Sequence, residues 1–304
     1  MNALELHGLK KSFGTQVVID GLDLRIPEHC VFGFLGQNGA GKTTTMKMIL
    51  GLLKADAGEI LVFGKPVRFG RTKTNRHIGY LPDVPEFYTY MTAREYLKLC
   101  GEITGLDKNT VRERSEELLT LVGLGEEKKR IGGYSRGMKQ RLGIAQALLN
   151  EPRLLICDEP TSALDPVGRK EILEILQKIK KKTTVVFSTH VLSDVERICD
   201  TIALLNQGKI VLSGTIAALR EHHRSNVISI EFLTPGDCLR FTKLPAVQQA
   251  ADLRTSGNTV SLHCSDIEAA QSAVLESLNG LKLFPVKLEL AEASLETLFM
   301  EAVQ

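Results

Sequence analysis

The stretch Gly36-Gln37-Asn38-Gly39-Ala40-Gly41-Lys42-Thr43-Thr44 constrains this chain more than any other. It fits the pattern G-x-x-x-x-G-K-[ST]. Before it lies an apolar run, Cys30–Leu35, that reads as a buried strand; after it comes an amphipathic run, Thr43–Leu50, closed by Gly51. Strand, glycine loop and helix together make a cradle for phosphate. Glycine lets the backbone approach the oxygens and turn its N–H groups inward, and the helix N-terminus adds roughly half a positive charge of dipole. In such a cradle Lys42 reaches the β- and γ-phosphates of a nucleotide and the Thr43 hydroxyl ligates Mg²⁺. A glycine turn that happens to precede a helix is the plain alternative, and adjacent Lys and Thr in this context argue against it.

Composition removes several other classes. A formal charge of +2 gives no bulk electrostatic pull on nucleic acid, so no nucleic-acid partner is expected. No apolar run approaches the ~18–20 residues needed to span a bilayer. The N-terminal residues alternate polar and apolar, without the charged cap and apolar core of a signal peptide. Cys30, Cys100, Cys157, Cys199, Cys238 and Cys264 are scattered with no C-x-x-C pair, which argues for reduced core thiols over a zinc site or a disulfide framework.

Along the chain, residues 3–9, 17–26 and 58–64 read as strands, with turns at Gly14 and Asp20-Gly21. Phe13 precedes the second of these; an aromatic there stacks on a purine or fills the core, and taken alone the core is the commoner fate. From about residue 84 to 150 the pattern turns helical. Thr92 and Glu95 have capping-box spacing, Val111–Val122 is amphipathic, and a third helix starts near Gly137. Strand patterns resume at Arg153–Cys157 and Thr183–Ser188, separated by an amphipathic helix over Val167–Lys182, and a hairpin is expected around Asn206-Gln207-Gly208. The cluster Lys178, Lys180, Lys181 and Lys182 reads as a solvated helix C-terminus, where cations suit the dipole, ahead of an anionic-partner reading.

A polar link at Glu221–Asn226 leads into a small α+β unit: strands at 227–232, 259–264 and 283–290, helices at 246–251, 266–278 and 294–301. His222, His223 and His263 lack the partners a metal site needs. The domains are therefore expected at 1–220, with a helical insert at about 84–150, and at 225–304.

A phosphate loop needs a second acidic strand end. The apolar run closing at Asp158-Glu159-Pro160 supplies it: Asp158 is placed to hold Mg²⁺ through water, and Glu159 to act as general base on an attacking water. A strand-end turn is the alternative. His190 closes the following strand, on the edge where open parallel sheets bind ligands, and there it can contact a γ-phosphate.

With these residues in hand, the chain resembles the nucleotide-binding subunit of ATP-binding cassette (ABC) transporters over roughly residues 3–215. Beside the phosphate loop and Asp158-Glu159, Tyr134–Arg141 stands where the family carries its signature sequence. Ser162-Ala163-Leu164-Asp165 resembles the D-loop, His190 the switch histidine, and Phe13 the aromatic that stacks on adenine. The resemblance implies an α/β P-loop NTPase fold with a mixed sheet, an antiparallel β subdomain and a helical insert, followed here by the small α+β domain. It implies ATP and Mg²⁺ as cofactors and ATP hydrolysis coupled to transport. It implies a homodimer or heterodimer of ATPase subunits packed head to tail, in which Ser135 and Gly137 of one subunit cap the ATP held by the other. It also implies an integral-membrane permease as partner and a peripheral place on the cytoplasmic face of the cell membrane.

Two departures from the family pattern stand out. The usual Leu-Ser-Gly-Gly-Gln signature reads Tyr134-Ser135-Arg136-Gly137-Met138, and a usual glutamine is replaced by Asp83 after Gly79-Tyr80-Leu81-Pro82. Asp83 is expected to touch nucleotide and to bind a metal water as that glutamine does. Both departures, with the C-terminal appendage, resemble the branch serving exporters of drugs, lipids, polysaccharides or ions. An importer ATPase remains an alternative, as does a non-transport ABC-type ATPase acting on nucleic acid or ribosomes. The last is disfavoured by the short insert and single phosphate loop, and a P-loop kinase or GTPase leaves Tyr134–Arg141 without a role.

Overall fold

Long apolar runs without alternation build the centre of the protein, because strands covered on both faces have no polar side to show. The computed structural model describes residues 1–70, 73–222, 227–264, 266–291 and 295–303. It divides into two compact units, one built on Met1–Ile216 and the other on Ala217–Glu301. The expected link residues 223–226 and the helix start at Ser294 lie outside the described residues.

The first unit runs β1 (Asn2–Phe13), β2 (Gln16–Pro27), β3 (Val31–Leu35), α1 (Lys42–Ile49), β4 (Ala57–Val62), β5 (Lys65–Pro66) and β6 (Ile78–Leu81). Three helices follow, α2 (Ala93–Ile103), α3 (Lys108–Leu121) and α4 (Arg136–Leu148). Then come β7 (Leu154–Asp158), α5 (Pro166–Ile179), β8 (Thr184–Thr189), α6 (Leu192–Ile198), β9 (Thr201–Asn206) and β10 (Lys209–Thr215).

Strands β2-β1-β4-β5 form an antiparallel sheet, and β10-β9-β3-β8-β7-β6 a second sheet, parallel throughout except for the β9–β10 hairpin. One core joins them: Leu4, Leu6, Ile19 and Ile60 from the first sheet and Phe32, Ile156 and Val186 from the second, with Met46 and Met48 of α1. Each such buried side chain contributes roughly 1.5–3 kcal/mol over its exposed state. The mixed sheet, antiparallel sheet and helical insert expected from the family are all present.

Register sets the site. Leu35 pairs with Thr189, and Asp158 with Ser188, so β3, β7 and β8 end level with one another. The loops that follow them therefore open on a single carboxyl edge.

The insert helices are capped as their sequences suggest. Thr92 and Glu95 form a complete capping box on α2. Ser135 caps α4 by accepting from the Met138 N–H, and Asp165 caps α5 by accepting from the Gly168 N–H. Strand β6 and helix α6 are additions to the expected elements. Ile78–Leu81 is only four residues long, and α6 has Val191 at its N-cap, which offers no side-chain cap.

The second unit comprises α7 (Ile216–His222), which straddles the boundary, β11 (Val227–Glu231), α8 (Pro235–Thr242), α9 (Pro245–Ala250), β12 (Ala251–Ser256), β13 (Thr259–Cys264), α10 (Ile267–Gly280), β14 (Lys287–Ala291) and α11 (Leu295–Val303). Its sheet, β12-β13-β11-β14, is antiparallel and carries a core of Ile228, Ile230, Phe232, Phe241, Val260, Leu262 and Val274. Three elements differ from expectation. Helix α8 and strand β12 were not read from the pattern, and the last strand starts at Lys287 instead of Leu283, just past Pro285, whose missing N–H disfavours a ladder.

Candidate functional site

The turn after β3 brings backbone, cation and helix end to one place. Gly36 follows Leu35 so tightly that a Cβ there would lie 2.6 Å from the Leu205 carbonyl oxygen. Gly41, at φ +108, caps α1 in a left-handed conformation, and a Cβ on it would strike Ile19 at 2.5 Å. No other residue fits these two positions without strain. Lys42, only 6% exposed, curls back so that Nζ donates to the Gly36 carbonyl at 2.7 Å and reaches Gln37 O at 3.3 Å. Gln37 O also accepts from the Ala40 N–H, which closes the loop across Asn38 and Gly39.

The acidic strand end arrives from β7. The Thr43 hydroxyl donates to Asp158 Oδ2 at 2.8 Å, and the Ser188 hydroxyl donates to Asp158 Oδ1 at 2.6 Å. The same Ser188 oxygen accepts from the Glu159 N–H at 3.0 Å. Glu159 has φ +47, a left-handed backbone rare for a residue with a side chain and typical of functional sites. Its carboxylate lies between two cationic or protonatable groups: Oε1 is 3.2 Å from Lys42 Nζ and Oε2 is 3.0 Å from His190 Nδ1. With a carboxylate as acceptor, Nδ1 carries the proton. Asp158 also acts at a distance: burial, and then the charge of Asp158, push the Tyr80 phenol up to about 12.

Sequence reasoning passed over the groups that brace this edge. Ser188 is completely buried and links β8 to both acidic residues. Asp194, on α6, accepts from the Thr161 hydroxyl at 2.7 Å and lies 3.7 Å from Arg169 of α5. The one signal for Ser188 was its place at the end of a strand level with Asp158. Nothing in the pattern marked Asp194.

The remaining candidates sit elsewhere. Phe13 ends β1 half-exposed, with the Lys11 ammonium 5.2 Å from its ring centre, so it is not a core residue. It begins the hairpin whose second strand carries Val18 and Ile19 against Gly41. Ser135 heads α4; its oxygen accepts one N–H, and its own hydrogen remains available for an anion. Gly137 is the second residue of the same helix, with nothing closer than 3.9 Å to a Cβ placed there. Asp165 is spent on capping α5. Asp83 is not joined to the Thr43–Asp158 pair: its carbonyl accepts from Gln140 at 2.6 Å and its carboxylate faces Arg136 at 3.7 Å.

Comparison with known proteins meets this geometry. The ABC transporter family model matches residues 19–162, which contain the glycine loop, Ser135 and the Asp158–Glu159 pair. An uncharacterized ABC transporter ATP-binding protein of Bacillus subtilis (strain 168), YxlF, is 44% identical over 228 residues, 75% of this chain and 76% of its own length. The chain belongs to the ABC transporter ATP-binding proteins. A second family model, the C-terminal domain of DrrA1-3-like ATP-binding proteins, matches residues 214–303. The Nod factor export ATP-binding protein I of Rhizobium sp. (strain N33) is 36% identical over 284 residues, 92% of each chain. A solved structure described as the ATP-binding subunit of an ABC transporter superposes with a TM-score of 0.65 at 32% identity, over 72% of this chain and 92% of that one.

This ABC subunit binds ATP and is an ATPase whose hydrolysis drives transport. Its chemistry needs a place for phosphate and a base for water. The glycine loop with Lys42, and Glu159 in contact with His190 and Ser188, are the groups whose chemistry suits those two needs.

Proposed function

We propose that the chain is the ATPase of an ABC exporter, working as a head-to-tail pair of subunits beneath a separate membrane permease. One observation carries the reading of the site. Lys42, Thr43, Asp158, Glu159 and His190, from three strand ends, lie within a connected network of contacts no longer than 3.2 Å. In it Lys42 holds the β- and γ-phosphates, and the amides from Gly36 to Thr44 line the phosphate path, including those of Gln37, Asn38, Gly39, Ala40 and Gly41. Phe13 stacks on the adenine. Glu159 takes the proton of the attacking water, His190 keeps the Glu159 carboxylate in place and meets the γ-phosphate, and Asp165 lies at the interface with the second subunit.

Thr43 and Asp158 fit Mg²⁺. A hydroxyl and a carboxylate 2.8 Å apart are hard oxygen donors, and Mg²⁺ bound with phosphates takes only one or two carboxylates from protein. Among the described residues no group of three or more His, Cys, Asp or Glu could hold a metal, in keeping with so sparse a donor set. Bound there, Mg²⁺ supplies neutralising charge to the β- and γ-phosphate oxygens. The chain's own part is to present Thr43 from the first turn of α1 and to fix the Asp158 carboxylate through Ser188.

Export is supported by the Rhizobium relative, whose similarity runs through both units. No helix among the described residues is long and apolar enough to cross a membrane. We assign the ATPase to residues 1–220 and an accessory role to residues 225–304. The test is purification from native membranes: co-elution of a multi-span permease supports the reading, and recovery with nucleic acid or ribosomes instead would contradict it.

A further inference from the structure

Two of the positions where this chain departs from the usual family pattern, Arg136 and Asp83, touch each other. The Arg136 guanidinium lies 3.7 Å from Asp83 Oδ1, an oxygen that is buried and has no hydrogen-bond donor of its own. The contact is anchored from behind. Gln140, one turn along α4 and fully buried, donates to the Asp83 carbonyl at 2.6 Å. Strand β6 and α4 are pressed so close that a Cβ on Gly143 would lie 2.5 Å from Leu81, and one on Gly79 would lie 2.2 Å from the Ala147 carbonyl oxygen. The segment carrying Asp83 is therefore packed directly on the helix that carries Ser135.

Electrostatics explains the pairing. Arg136 occupies the first position of α4, where the helix dipole is positive and a cation is disfavoured; a carboxylate beside it reverses the sign of the local interaction. Asp83 supplies that carboxylate. Its contacts are with Arg136 and Gln140, whereas the Asp158 carboxylate of the pair that fits a metal is engaged by Thr43 and Ser188.

We propose that Asp83 is a positioning residue for the signature helix: its ion pair with Arg136 sets the helix end that carries Ser135 and Gly137, and it is not a ligand of the metal. This rests on the two-subunit site proposed above, in which that end caps the partner's nucleotide.

The experiment uses the full chain in a Glu159→Gln background and measures two quantities for each variant. One is the ATP concentration giving half-maximal dimer by sedimentation; the other is the Mg²⁺ concentration giving half-maximal nucleotide binding. Asp83→Asn and Arg136→Gln should each raise the first by about two- to fivefold, the range an exposed ion pair supports. The exchange Asp83→Arg with Arg136→Asp should recover most of the loss, and the Mg²⁺ requirement should not move. An exchange variant no better than the single ones overturns the proposal, as does a tighter dimer in Asp83→Asn. So does a raised Mg²⁺ requirement confined to Asp83→Asn. A dimer that forms normally but ignores the pair removes this latch alone. No ATP-dependent dimer in Glu159→Gln itself removes the two-subunit site, and the latch with it.

Discussion

Thr43 and Asp158 stand 115 residues apart in the chain, yet their hydroxyl and carboxylate meet at 2.8 Å. That contact joins the phosphate loop to the acidic strand end and makes the two motifs one site. It exists because β3 and β7 both pair with β8 and end at the same level of one parallel sheet.

Glu159, proposed above as the general base, lies between Lys42 and His190. Glu159→Gln should keep nucleotide binding and lose turnover by about 10²–10⁴-fold, the contribution typical of a positioned base. Steady-state ATPase assays alongside binding of a fluorescent nucleotide check this. Hydrolysis at the unmodified rate would remove Glu159 from the role.

Lys42 is buried and already bonded to two backbone carbonyls of its own loop. In Lys42→Ala those carbonyls and Glu159 lose their cation, and phosphate loses a charge-assisted bond worth about 1.5–3 kcal/mol. ATP affinity should fall by about 10- to 100-fold, since each ~1.4 kcal/mol is a factor of ten. Equilibrium titration measures it, and undiminished affinity would overturn the phosphate-loop assignment.

Ser188→Ala probes a residue that no motif marks. It leaves Asp158 Oδ1 without a donor and the Glu159 N–H without an acceptor in a fully buried place. Urea unfolding should show a loss of about 1–3 kcal/mol, and kcat should drop more than KM rises because both acidic residues lose their brace. A variant neutral in both assays would show that Asp158 and Glu159 are held some other way.

Burial pushes all six thiols up, three of them furthest. Cys30 is pushed up to about 11 from an ordinary 9.0, and Cys157 and Cys199 also rise, in each case chiefly through burial. A raised acid pKa means that the folded state favours the neutral form. The contribution is therefore intact below the unfolded value of 9.0 and declines as pH climbs through it toward the folded value. Denaturant midpoints should decrease between about pH 8 and pH 10.5, and these thiols should resist an aromatic disulfide reagent until the chain unfolds. A midpoint constant across that range would contradict the assignment.

Much of this was legible in the residues. The glycine loop, the strand ending at Asp158-Glu159 and the capping box at Thr92 announce themselves because each is local: a few adjacent side chains fix a turn or a cap. Helix α8 had such a signal too, since Thr234 accepts from the Asp237 N–H ahead of a first-turn proline, but its short length hid it. What stayed unreadable is non-local. Ser188 and Asp194 act across loops whose closeness comes from strand register and helix packing, neither of which has a sequence period. Arg136 and Asp83 were each visible as a departure, and only the packing of α4 on β6 shows that they answer one another.

The central claim is that each chain holds only part of an ATP site, completed by Ser135 and Gly137 of another. Sedimentation of the Glu159→Gln chain with and without ATP and Mg²⁺ tests it most directly. The account predicts a monomer alone and, with nucleotide, a dimer containing two ATP, lost when Ser135 is replaced by arginine. A monomer that binds ATP tightly at every protein concentration would contradict it.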